Sequence, residues 1–274
     1  MARVASIDTK AYVLHGANAF GSSLMGVLPI VALALGWEAL SASGAVTAFQ
    51  LPPLSAVFAR IWTDAIQGDL VLNAALTLYR ALAGFGIAAT SGVILALAMS
   101  RNAIVRWLLD PIVSVGFPMP KIAFLPVIML WLGVYDLSKI AMVVFDAIFP
   151  VVTATVAGVA GVDRHLIWSA RNVGASEREI VWQIVLPAAF PQIMTGLQVA
   201  LPIALIVAVV AEMLMGGYGL GGAMVRASRF ADSPGVFAGI VEIAVVGYVL
   251  VKAMAIIRRR LLVWHQEALP PSTV

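Results

Sequence analysis

Six apolar stretches, each near the length needed to cross a bilayer, divide this chain and leave it few folds to choose from. They lie at about 22–42, 73–99, 107–132, 139–160, 189–215 and 234–257. A spanning helix needs roughly 20 apolar residues. Between these stretches there is too little polar sequence for a separate soluble domain. Charged residues make up 11% of the 274-residue chain and hydrophobic residues 62%, whereas a soluble domain carries roughly 25% charged residues. The expectation is a single all-α, polytopic membrane domain over 1–274 with six transmembrane helices. In lipid, a helix satisfies every backbone polar group within itself.

The first stretch is preceded by Arg3 and Lys10 and followed by small residues, a pattern shared with signal peptides. Its length argues for a retained helix, because a signal-peptide core is only about 7–15 residues. The second, third and fifth stretches exceed the minimum and are expected to tilt or kink.

Lysine and arginine placement orients the chain. With the N-terminus inside, the cytoplasmic side carries Arg3, Lys10, Arg101, Arg106, Arg164, Arg171, Arg178, Lys252 and Arg258 to Arg260. The outer side carries Arg60, Arg80, Lys139, Arg226 and Arg229. The positive-inside bias therefore places both termini in the cytoplasm. In the first outer loop, Val57, Phe58, Ile61, Trp62 and Ile66 recur at helical spacing after Pro52 and Pro53. That spacing predicts a short helix, either lying on the outer interface or packed on the spans.

Several chemistries are excluded. There is no cysteine, and hence no disulfide or thiolate metal site. His15, His165 and His265 all fall outside the spans, which leaves no histidine for an intramembrane hydrolase, a haem or a proton relay. No lysine follows a glycine, so the chain has no P-loop and does not bind ATP by that route. The glycines at 216, 217, 219, 221 and 222 lack a lysine and a preceding strand. They read as a flexible outer turn that ends the fifth span. The net charge of +3 gives no case for nucleic acid.

The loop between the fourth and fifth spans, 163–187, reads as two short helices. Asp163 caps the first and Gly174 ends it. Ser176 and Glu179 form a capping box for the second. Ile180, Val181, Ile184 and Val185 make its apolar stripe, and Pro187 is expected to stop it. A plain amphipathic connector and a docking surface for a partner both fit this pattern.

Three prolines, Pro118, Pro120 and Pro126, interrupt the third span. Broken helices in transporters often flank the substrate path, so 116–126 is expected to line one; a kink that only shapes packing is the alternative. Lys121 lies inside this break, and Asp146 in the fourth span matches it in depth. Two readings stand: a buried ion pair, or a positive point that attracts an anion. Glu212, near the outer end of the fifth span, either lines an outer gate or braces the 216–222 turn. Met213 and Met215 are flexible apolar bulk that could serve a gate.

Trp168, Ser169 and Ala170 occupy the first three positions of a known spacing, and Gly174, Ile184, Leu186 and Pro187 match the rest of it without a gap. It is Glu-Ala-Ala-x-x-x-Gly, nine residues, Ile-x-Leu-Pro. The match resembles the cytoplasmic signature of permease subunits of binding-protein-dependent ABC importers, with Trp168 and Ser169 as departures. LPPLSAVF at 51–58, TLYRALAGFGIA at 77–88, DPIVSVGFPMPKIAFLPVIMLWLG at 110–133, FPVVTATVAGV at 149–159 and AEMLMGGYGLGGAM at 211–224 extend the likeness. They resemble the sulfonate, nitrate and taurine branch, which includes bicarbonate and pyrimidine-precursor carriers. The resemblance implies the type I importer fold with a cytoplasmic coupling helix at 163–187, in a bacterial inner membrane. It implies a second copy of the permease, two ATPase subunits that carry ATP and Mg2+, and an extracytoplasmic solute-binding protein. This chain would bind no cofactor itself. A gradient-driven secondary carrier is the alternative, and it has no use for the coupling segment.

Overall fold

Small residues spaced along the longest apolar runs set how the helices meet. The computed structural model of the protein describes residues 28–264. Helices α3 (Leu70–Arg101), α6 (Asp136–Ala160) and α9 (Leu186–Met215) form the centre of the bundle. Ala81, Gly84, Ala88, Gly92 and Ala96 are the buried face of α3. A side chain at Gly84 would stand 2.5 Å from Val143 of α6, and one at Gly196 of α9 would stand 2.6 Å from Ala154. Backbones therefore approach closely, as small residues permit in membranes. Ala88 packs fully and Gly92 meets Val151, but Gly86 faces open space.

The other elements surround this core. Helix α1 (Leu28–Ala42) is the described part of the first apolar stretch; residues 22–27 of that expected span, with Arg3, Lys10, His15 and His265, lie outside the described residues. Helix α2 (Leu54–Ile66) is the short helix expected after Pro52 and Pro53. Glu38 of α1 caps it by accepting hydrogen bonds from the Leu54 N–H at 2.6 Å and from Ser55 Oγ at 3.0 Å. Phe58, Trp62 and Ile66 of α2 are exposed, while Val57 is buried. Helices α10 (Leu220–Arg229) and α11 (Ser233–Leu261) close the chain. Arg60 of α2 pairs with Asp232, which caps α11. Only 6% of the most apolar window of α11 is buried within the chain, so lipid or another chain must cover it.

Among the described residues, four helices are long and apolar enough to cross a membrane, and a bent pair can make a fifth. The bent pair corrects the expected span at 107–132. Helix α4 (Ala103–Gly116) and the segment Lys121–Leu132 meet at 100°. Asn102 starts α4 by accepting from the Ile104 and Val105 N–H groups. Pro118 and Pro120 interrupt the ladder after Gly116, and a 3-10 turn (Lys121–Phe124) precedes α5 (Leu125–Leu132). Pro126 breaks nothing. It sits in the first turn of α5, where its missing donor has no helical partner to lose.

Pro187 likewise does not stop a helix. From Glu177 to Met215 the chain is one helical rod of 39 residues. The stretch Ile180–Val185 is a π turn, in which the Leu186 N–H reaches back five residues to the Val181 carbonyl. The widened turn gives the Pro187 ring the clearance that an α turn denies it. At about 1.5 Å per residue the rod is about 58 Å long. The hydrocarbon core is about 30 Å thick, so a substantial length of rod projects beyond it.

Candidate functional site

The segment 163–187 folds as a closed hairpin on the end of that rod. Asp163 accepts from the His165 N–H at 2.8 Å and starts α7 (Arg164–Asn172). Gly174 then takes φ +88°, a left-handed value cheap only for glycine. The Ala175 N–H returns to the Ala170 carbonyl at 3.0 Å, sealing the end of α7. The short helix α8 (Glu177–Glu179) carries the expected capping box. Ser176 Oγ and N–H both donate to Glu179, at 2.7 and 2.8 Å. Those bonds, the side-chain one first, hold the Glu179 carboxyl below the ordinary carboxylate value.

A small core anchors the hairpin to α9: Val162, Ala170, Ile180, Val185, Ala189 and Ile193, with Ile184 and Leu186 packed against it. The motif residues divide accordingly. Ala170, Ile184 and Leu186 point inward, while Trp168, Ser169, Gly174 and Pro187 are exposed. Trp168, standing where an acid is usual, makes an edge-on contact with His165 at 5.3 Å. Val173, at 84% exposure, and Trp182, at 60%, add uncovered apolar surface to an otherwise polar hairpin.

In the broken segment, Lys121 is 6% exposed and its Nζ lies 2.9 Å from Asp146. It also donates to the Phe117 carbonyl at 3.0 Å and lies 4.8 Å from the Phe149 ring centre. Depth matching in the sequence found this pair. The lysine charge is offset by the carboxylate and the ring face. Pro118 and Pro120 beside it are exposed.

Glu212 belongs to a separate polar cluster, which among the described residues shares no bonding partner with Lys121. Glu212 is fully buried. Arg80 donates to it at 2.6 Å, and also to the Tyr218 carbonyl at 2.6 Å and to Asp136 at 2.8 Å. The Thr77 hydroxyl lies 2.9 Å from the same carboxylate, and the Gly221 N–H donates to it at 3.1 Å. Asn73 accepts from the Gly219 N–H at 2.8 Å, and Lys139 donates to the Gly216 carbonyl at 2.9 Å. The turn at 216–222, expected to be flexible, is thus tied to α3, α6 and α9. Gly216, Gly217 and Gly219 take positive φ there because the fastened path demands it. Met213 is half-buried against the central core.

The sequence reading missed Asn73, Thr77, Arg80, Asp136 and Lys139 in this cluster. A signal existed: positions 73, 77 and 80 are one polar stripe on an otherwise apolar helix. Counting Arg80 only among the charges on the outer side hid it.

The bundle thus joins long apolar helices, one sharply bent pair and a braced hairpin at the end of the longest rod. Comparison with known proteins identifies the class. Residues 88–263 match the family described as binding-protein-dependent transport system inner membrane component. The chain is 31% identical over 236 residues to the taurine transport system permease protein TauC of Escherichia coli, covering 84% of this chain and 86% of that protein. It is 31% identical over 241 residues to the putative aliphatic sulfonates transport permease protein SsuC of Bacillus subtilis, covering 88% and 87%. Among solved structures, it superposes at a TM-score of 0.59 on a chain of a bacterial ABC transporter involved in the import of the acidic polysaccharide alginate. That match is 17% identical, covers 92% of this chain and 97% of the other, and speaks for the fold. The chain belongs to the inner-membrane permease family of binding-protein-dependent ABC transporters. It is a non-catalytic membrane subunit whose work requires an ATPase and a binding protein.

Proposed function

We propose that this permease carries a small organic or inorganic anion, of the sulfonate, taurine or nitrate kind, or a small heterocycle. Its relatives named for taurine and aliphatic sulfonates support that range. In this reading two copies form the pathway, two ATPase subunits bind ATP and Mg2+, and a solute-binding protein delivers cargo on the outer face. Six crossings in one membrane domain over 1–274 place both termini in the cytoplasm. The hairpin at 163–187 is the handle on which the ATPase pulls, through Trp168, Ser169, Ala170, Gly174, Ile184, Leu186 and Pro187.

The single observation that carries this reading is the continuous helical rod from Glu177 to Met215. A force applied at the exposed hairpin is transmitted along this helix to Glu212 at the other end, where α3 and α10 are fastened. The kinked segment 116–126, with Pro118 and Pro120, lies on the pathway. The Lys121–Asp146 and Arg80–Glu212 pairs fasten its walls, so cargo selection falls to the binding protein. Gly174→Trp tests the handle: the strained, enlarged tip should still insert in the membrane and leave ATP hydrolysis running without uptake. Normal uptake by that variant would remove the hairpin from the mechanism.

A further inference from the structure

Charge is scarce in this chain, yet four arginines from three helices converge on one cavity of about 460 Å³. They are Arg101 at the end of α3, Arg106 in the first turn of α4, and Arg164 and Arg171 at the two ends of α7. One carboxylate lines the cavity with them: Glu177, already paired with Arg171 at 2.9 Å. Among the described residues, Arg101, Arg106 and Arg164 take part in no ion pair. Arg101, Arg106 and Arg164 are all exposed, and together they give the cavity a positive lining that favours an anion. Their planar forks suit the oxygens of a phosphate.

The wall of the cavity decides which phosphate. Leu97 of α3 and Val156 and Val159 of α6, in the last turns of membrane-crossing helices, line one side of it, and Ile167, Ile180, Val181 and Val185 of the hairpin segment line the other. Arginine at the helix ends and aliphatic side chains just inside them match the layering of a lipid, headgroup at the boundary and acyl chain along the helices. A free oxyanion gains nothing from the apolar wall. The geometry points to a binding site for an anionic phospholipid, with the phosphate among Arg101, Arg106 and Arg164 and a chain against Leu97 and Val156. Basic pockets between membrane helices bind such headgroups. The bound lipid bridges the hairpin, through Arg164, to the ends of α3 and α4, and so restrains the attitude of the hairpin. The site is built by this chain alone and stands whether or not the hairpin meets an ATPase.

Native mass spectrometry of the purified full chain tests it, with phosphatidylglycerol and phosphatidylcholine of identical acyl chains as probes. The wild type should retain phosphatidylglycerol preferentially. Each guanidinium near an anionic headgroup is worth about fivefold, so Arg101→Gln, Arg106→Gln and Arg164→Gln together should lower its retention on the order of a hundredfold. Arg178→Gln, Arg259→Gln and Arg260→Gln, which remove the same charge outside the cavity, should leave it unchanged. If the triple variant does not fold, Arg106→Gln alone, at an exposed position, should still lower retention about fivefold. Displacement of the lipid by millimolar inorganic phosphate would keep the oxyanion site but assign it to a soluble ion. Equal retention of the two lipids, or equal loss in the control variant, overturns the proposal.

Discussion

Arg80→Met is expected to destabilise the protein by about 3–5 kcal/mol, because it leaves the fully buried Glu212 carboxylate without its counter-charge. The magnitude follows from the two ends of the arginine. The Asp136 end is half-exposed, with a side-chain exposure of 49%, and so contributes at most about 1 kcal/mol. The Glu212 end is dry, and after the substitution only Thr77 and the Gly221 N–H remain on the carboxylate. Glu212→Met is milder, about 1.5–3 kcal/mol, since Arg80 keeps Asp136 and the Tyr218 carbonyl. The double variant removes both buried charges and, besides neutral groups, orphans only the half-exposed Asp136 carboxylate. It should therefore be less destabilised than Arg80→Met alone. Equilibrium unfolding by SDS in mixed micelles, with tryptophan fluorescence as readout, provides the four free energies of the cycle. The reasoning fails if Arg80→Met lies within about 1 kcal/mol of wild type, or if the double variant equals the sum of the singles.

Three further outcomes follow from the same geometry. Lys121→Met combined with Asp146→Leu should preserve anion uptake by the assembled transporter, because the pair is a fastener; loss of uptake with intact assembly would make Lys121 a cargo contact. Gly196→Leu should be destabilising by about 1–3 kcal/mol through overpacking against Ala154 and the Pro150 carbonyl, with the unfolding midpoint as measure. Ser176→Ala removes the capping box, and amide exchange over 176–180 should accelerate. Because the folded Glu179 carboxyl titrates below its unfolded value, its contribution is present above the unfolded value and disappears as pH falls through the folded one. Wild-type exchange, corrected for intrinsic rate, should converge on the variant's at acid pH and not at alkaline pH.

The parts of the molecule that local chemistry decides were readable in the residues. The apolar runs that became α3, α6, α9 and α11 lie within a few residues of their structural limits. The caps at Asp163, Ser176 and Glu179 and the turn at Gly174 formed as read, since each closes over three to six residues. Lys121 and Asp146 were legible because isolated charges in apolar spans are few and depth alone pairs them. The 100° break was not, because prolines at 118 and 120 disrupt a helix without stating where the chain goes next. Pro187 misled for a related reason. Its π turn is flanked by Ile180 and Val185, both buried in the hairpin core, and no local rule foretells that. The braced outer turn was hidden by distance, since Arg80 and Glu212 are 132 residues apart and glycine-rich sequence reads as loose until its partners are known.

The absence of cysteine from the sequence makes the decisive measurement clean. Val173→Cys puts a single thiol at the exposed tip of the hairpin, where a membrane-impermeant maleimide can report both sidedness and cover. The thiol should react in inverted vesicles stripped of the ATPase, be shielded when the ATPase is restored, and stay silent in intact spheroplasts. Labelling from the outer face, or labelling indifferent to the ATPase, would contradict the account of this rod as the lever of an ATP-driven importer.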